Sequence, residues 1–166
     1  ELVPRVTAAA VLEIDEAGRP ALLLAEPGGA LAFLGPAAGG GLERTPVALE
    51  LPAGGAVEGL VAGDFQDDVP KGARYDPKRD ALTDALLIRA GGVRLLKRTG
   101  PAVFADVTEA AGLAKLAARR ARWIDFEHDG DLDLAAATAS GVELWQNNGD
   151  GTFRDMTVEV GNISTN

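Results

Sequence analysis

The chain contains no cysteine, which excludes disulfides and thiolate chemistry and leaves the compartment open. Histidine occurs once, at His128, and a lone imidazole with no serine or cysteine partner of defined geometry does not make a catalytic base. Positive charge is scarce: 16 basic against 25 acidic side chains give a net charge of −9 and a pI near 4.6. That balance argues against a phosphate-binding surface, hence against nucleic acid as a partner, and favours cation binding or solubility. No stretch of 18 apolar residues exists, so no membrane span is expected. The chain also lacks a charged-then-apolar leader at Glu1, and the expectation is that any signal peptide has been removed or was never part of this sequence. What is abundant is small and turn-forming. With 21 glycines, 9 prolines and 46% hydrophobic residues, the composition fits a turn-rich β protein with a real core.

One stretch stands out. Asp125-Phe126-Glu127-His128-Asp129-Gly130-Asp131-Leu132-Asp133 places five carboxylates on alternate residues around one glycine. Acids packed this densely repel one another unless a hard divalent cation, coordinated by oxygens, offsets their charge, and carboxylates at the first, third and fifth places suit calcium. The expected ligands are the side chains of Asp125, Glu127, Asp129 and Asp133 and the backbone carbonyl of Asp131, whose own carboxylate is expected to face solvent. Water would complete a shell of about 6–8 oxygens. An EF-hand begins in the same way but needs a bidentate glutamate at its twelfth place, where this chain has Ala136. The flanks, Leu132–Thr138 and Gly141–Trp145, read as two short strands joined by a turn, and the EF-hand is rejected. An acidic, solvated turn without an ion remains the plainer alternative.

A repeat frames the loop. A shift of 49 residues superposes Asp84 on Asp133, Gly92 on Gly141, Leu95 on Leu144, Phe104 on Phe153, Asp106 on Asp155 and Thr108 on Thr157. Upstream the shift becomes 61, placing Asp64-Phe65 on Asp125-Phe126, Gln66 on Glu127 and Asp68 on Asp129, as an insertion in the earlier acidic loop would require. A fainter copy opens the chain, with a loop at Asp15–Pro20 too short and too poor in acids to hold an ion. A period of this length signals a repeated supersecondary unit. In the last copy strands are expected near Arg119–Ile124, Leu132–Thr138, Val142–Gln146 and Thr152–Thr157, with Asn147–Gly151 as a hairpin turn. Val107–Arg122 could begin a helix, but comparison with Ala56–Gly63 favours a turn at Glu109–Gly112 followed by a strand. Four-stranded units of this length suggest blades of an all-β propeller. The expected divisions are 1–52 (a degenerate blade), 53–113 (a blade with a loop insertion at 69–82) and 114–166 (the blade carrying the acidic loop).

Asp125–Asp133 followed by Gly141–Thr157 resembles an FG-GAP or VCBS repeat, the calcium-loop blade of integrin-like β-propellers. Phe104–Leu113 resembles the blade ending of the bacterial branch that also carries ASPIC/UnbV domains. The resemblance implies a loop joining the first two strands of a blade and holding calcium, in a propeller serving extracellular adhesion or ligand binding. It implies at most a weaker site in the second blade, from Asp64, Gln66, Asp68 and Asp84, since Gln66 and the insertion depart from the pattern. The expected function is thus a non-catalytic, calcium-binding module, extracellular or periplasmic, with a protein or carbohydrate ligand. The alternative is the non-catalytic part of a calcium-dependent polysaccharide lyase or hydrolase built on a propeller. Three blades are fewer than the roughly 4–8 that close a ring, so further blades are expected from a longer parent chain or a homo-oligomer.

Other residues invite less specific readings. His128, at the fourth place of the loop, is expected to point outward, and Trp123 and Trp145 to pack in sheets. Lys115, Arg119, Arg120 and Arg122 read as a solvated face. The insertion from Val69 to Leu82, with Lys71, Arg74, Tyr75, Asp76, Lys78, Arg79 and Asp80 and stiffened by Pro70 and Pro77, reads as a tolerated surface loop that could also recognise a partner. Gly39-Gly40-Gly41 reads as a hairpin tip, and Asn162-Ile163-Ser164 as a chance glycosylation sequon.

Overall fold

The computed structural model describes residues 5–13, 20–49, 51, 55–66 and 82–158. Asp15–Arg19, Asp68, nearly all of the insertion and the sequon at 162–164 lie outside these residues. The described residues form twelve strands and no helix. They make three antiparallel sheets of four strands, each a meander in which successive strands pair. The first sheet holds β1 (Ala8–Glu13), β2 (Pro20–Ala25), β3 (Leu31–Pro36) and β4 (Leu42–Pro46). The second holds β5 (Val57–Gly63), β6 (Asp84–Arg89), β7 (Gly92–Gly100) and β8 (Val103–Asp106). The third holds β9 (Arg120–Ile124), β10 (Asp133–Ala137), β11 (Val142–Asn147) and β12 (Phe153–Asp155). Strand β1 lies against β5, and β5 against β9, so the first strands of consecutive sheets are neighbours in space. This is the arrangement of propeller blades about an axis, and among the described residues the ring is not closed.

The middle sheet shows how the pattern of side chains produces this stacking. Strand β6 is buried along its whole length. Its Ala85 and Leu87 enter the core shared with the first sheet, beside Leu23, Leu31 and Phe33, whereas Leu86 and Ile88 enter the core shared with the third, beside Leu134 and Trp145. Alternate residues of a strand point to opposite faces, so a continuous apolar run is what a sheet covered on both sides requires. By contrast β4 is exposed throughout and carries Glu43, Arg44 and Pro46, which discourage pairing with another chain at an outer edge. The turn before β4 includes Gly40 and Gly41 at φ of 87° and 84°, so the glycine run is a hairpin tip, as expected.

The repeat is one of hydrogen bonds as well as of letters. The Leu95 amide donates to Thr108 Oγ1 at 2.9 Å, and 49 residues on the Leu144 amide donates to Thr157 Oγ1 at 3.2 Å. Thr108 and Thr157 each donate a backbone N–H to the aspartate two places before, Asp106 at 3.0 Å and Asp155 at 2.9 Å. Between β8 and β9 the chain makes turns over Thr108–Lys115, not a helix, and enters β9 at Arg120. This connector seals the seam between two sheets: Ala111, Leu113, Leu116 and Ala118 are buried, the Ala111 carbonyl accepts from the Phe153 amide at 2.9 Å, and the Leu116 carbonyl accepts from the Val93 amide at 3.2 Å.

The seam is tightest at Gly63. A Cβ added there would collide with the Trp123 indole at Cδ1, and Trp123 is itself held by Phe65 and Phe153 at ring separations of 6.3 and 6.2 Å. Gly63→Ala is therefore expected to destabilise the protein by about 1–3 kcal/mol through overpacking. Denaturant unfolding followed by tryptophan fluorescence would show it as a lowered midpoint.

Candidate metal centre

The Asp125–Asp133 loop joins β9 to β10, the first two strands of the third sheet. Its acids first organise its own backbone. Asp125 Oδ1 accepts from the Asp129 amide at 3.1 Å, and Asp129 Oδ1 accepts from the Asp131 amide at 3.0 Å. Two left-handed residues, His128 at φ 64° and Gly130 at φ 95°, complete the curl. His128 is exposed, as its place in the loop suggested.

Asp133 closes the loop from below. Its carboxylate is buried, accepting from the Phe126 amide at 3.1 Å and from the Asn147 amide at 2.8 Å, so it ties the loop to the end of β11. Asn147 in turn donates its side-chain amide to the Phe65 carbonyl of the second sheet at 2.6 Å. Gln146, one residue earlier, donates Nε2 to Glu127 Oε1, while Glu127 Oε2 is buried with no hydrogen-bond partner. Burial pushes the Glu127 carboxyl above the usual glutamate range; the negative charges of Asp133 and Asp129 push it further, and the Gln146 amide opposes them. Asp131 differs from expectation: it is half-buried, and its Oδ2 stands 3.0 Å from where a Cβ on Gly149 would lie. Its carboxylate therefore lies against the β11–β12 hairpin.

Whether these residues suit a divalent cation divides into chemistry and placement. The donors are hard oxygens, the acids Glu127, Asp129 and Asp133 repel one another, and a buried carboxylate oxygen lacks a partner, all of which a calcium ion would relieve. Among the described residues, however, no group of three or more His, Cys, Asp or Glu side chains stands close enough together to hold a metal ion. The donors are of the right chemical type, but their side chains are not placed as a coordination shell.

The second sheet repeats the scaffold with different chemistry. Asp84 is buried and accepts from the Phe65 amide at 3.4 Å and from the Arg98 amide at 2.7 Å, the counterparts of the bonds made by Asp133. Gln66 Oε1, at the place of Glu127, accepts from Lys97 Nζ at 2.8 Å. Asp64 is exposed. The Arg98 guanidinium reaches the carbonyls of Gly100 and Pro101 at 3.1 and 2.8 Å and lies 5.2 Å from the centre of the Phe33 ring in the first sheet. Burial lowers its pKa, and the nearby Asp84 carboxylate opposes that shift.

Gln146, Lys97 and Arg98 were not singled out from sequence, and Asn147 was read only as the start of a hairpin turn, whereas it ends β11. The signal was present, because the same 49-residue shift sets Lys97 on Gln146 and Arg98 on Asn147, but they differ in type and read as mismatches. Among the described residues, the basic cluster and Trp145 behave as expected. Lys115, Arg119, Arg120 and Arg122 are exposed, and Trp145 is a core residue whose Nε1 donates to Glu143 at 3.2 Å.

Comparison with known proteins agrees with this architecture. No curated protein matches the chain. Among solved structures, a lectin of Agrocybe aegerita, described for its specific recognition of non-reducing terminal N-acetylglucosamine, superposes with a TM-score of 0.52 at 17% identity. The match covers 88% of this chain and 36% of the lectin, so the chain spans about a third of that protein's length, and at this identity the likeness is one of fold. Residues 125–166, which begin at the first aspartate of the acidic loop, match the family model of the FG-GAP-like repeat. The acidic loop and the strands β10–β12 that follow it thus fall within the match to an FG-GAP-like repeat.

Proposed function

We propose that this chain is a calcium-binding β-propeller segment serving as a non-catalytic binding module outside the cytoplasm, with a carbohydrate or protein ligand. The observation that carries the proposal is the crowding of Glu127, whose Oε2 is buried away from any N–H donor, against the Asp129 and Asp133 carboxylates in the loop of an FG-GAP-like repeat. Asp125, Glu127, Asp129 and Asp133 would hold the ion through side-chain oxygens and Asp131 through its carbonyl. The ion would neutralise the loop's acids and fix the β9–β10 connection. Extracellular calcium modules work at affinities matched to millimolar calcium, which supports an extracellular or periplasmic setting. The likeness of fold to a lectin makes glycans the first ligands to try.

Thermal melts in excess calcium and in chelator test the reading. An ion bound only by the native state adds about 2.7 kcal/mol at a hundred times its dissociation constant. For a chain of this size that corresponds to a Tm rise of roughly 5–11 °C. Asp129→Ala is expected to abolish the rise, and equal melting points in calcium and chelator would refute calcium binding. A glycan panel that includes terminal N-acetylglucosamine, probed with and without calcium, would test the ligand class.

A further inference from the structure

The two acidic loops share one scaffold and differ at the pair of residues that faces it. In the third sheet that pair is Glu127 and Gln146, joined by a hydrogen bond; in the second it is Gln66 and Lys97, joined at 2.8 Å. The substitutions are reciprocal. The loop residue loses its negative charge where the strand residue gains a positive one, so a pair of net charge minus one becomes a pair of net charge plus one. Arg98, beside Lys97, adds another positive charge next to Asp84, where the third sheet has the neutral Asn147. The anchoring bonds do not change, since Asp84 and Asp133 each accept from the amide after the first acid of the loop and from the amide near the end of the third strand.

We propose that the Lys97 ammonium is the resident cation of the second loop, taking the role that a divalent ion has in the third and excluding such an ion from its own. An ammonium carries three donors and a compact charge on a flexible stem, and here it donates to Gln66 Oε1 at the place where the third loop has Glu127. It is covalently tethered, so its occupancy does not depend on free calcium, and its charge opposes entry of a second cation. The contact between Gln66 and Lys97 therefore does not depend on calcium, and only the third loop responds to the ion. The side chains of Asp64, Gln66 and Asp84 do not make a calcium site while Lys97 is in place. The proposal rests on reading the third loop as a calcium site.

Calorimetric titration of the full chain with calcium chloride separates the two ideas. The unaltered protein is expected to take one equivalent, lost in Asp129→Ala and kept in Asp64→Ala. Exchanging the pair, Gln66→Glu with Lys97→Gln, is expected to add a second equivalent. Two equivalents in the unaltered protein, one of them lost with Asp64→Ala, would overturn the proposal, as would a folded exchange variant that still takes one. No uptake at all by the unaltered protein would instead refute the calcium reading of the third loop. In that case, or if the exchange variant does not fold, melting in chelator decides the role of Lys97. Lys97→Met is then expected to melt several degrees lower and Lys97→Arg to lose less than half of that, whereas equal losses would overturn the role of the charge.

Discussion

Replacing Asp84 with alanine is expected to lower the stability of the protein by about 3 kcal/mol, because two buried backbone amides, those of Phe65 and Arg98, lose the carboxylate that accepts them. An unsatisfied buried donor bears the full desolvation penalty of its group, and bonds to a charged acceptor are stronger than neutral ones. The Arg98 guanidinium, almost wholly buried, also loses the nearby negative charge that favours its ionised form. The loss corresponds to a fall in Tm of roughly 6–12 °C for a chain of this size. Asp133→Ala, measured in chelator, serves as the comparison: it removes the equivalent pair of bonds but strands no guanidinium, and it relieves repulsion on Glu127. Asp84→Ala is therefore expected to be the more damaging of the two. The reverse order would show that Arg98 gains little from its neighbour.

Phe65→Ala is expected to have an effect at least as large, about 3–5 kcal/mol, as a large buried ring is removed and a cavity remains. Phe65 belongs to the second sheet's loop, yet its ring stacks on Trp123 at 6.3 Å and 15° and tilts against Phe153 at 5.9 Å, both in the third sheet. Such pairs contribute about 0.5–1.5 kcal/mol beyond the area they bury. The substitution acts on the seam between blades, so denaturant unfolding should show a lower midpoint together with a shift in the emission of Trp123. Phe65→Leu, which keeps most of the volume, is expected to lose less. Equal losses would mean that the ring geometry contributes nothing beyond volume.

Much of the fold was legible because the residues that organise the second and third blades are the same in type and spacing. Asp84 and Asp133, Asp106 and Asp155, Thr108 and Thr157 form matching local bonds, and a fixed shift in the sequence finds all three pairs. The place of the acidic loop between two strands was legible as well, since strand signals stand on either side of it. What escaped notice were contacts between blades. The bond from Asn147 to Phe65, the stacking of Arg98 on Phe33 and the close approach of Trp123 to Gly63 join residues far apart in the chain, and no periodicity marks such partners. Lys97 and Gln146 were concealed differently: a repeat is recognised by its matches, whereas this pair carries its meaning in the mismatch. The open placement of the acids was also beyond sequence, because alternation shows which oxygens are available and not how far they have converged.

The meander of each sheet has a consequence for how the molecule is made. Among the described residues, the strands of each sheet pair in chain order, so a blade's ladder can be completed as soon as its own segment has left the ribosome. The longer-range bonds, such as that from Asn147 back to Phe65, then dock a finished wedge onto the one synthesised before it. Growth of the nascent chain and growth of the native structure can therefore proceed in the same direction.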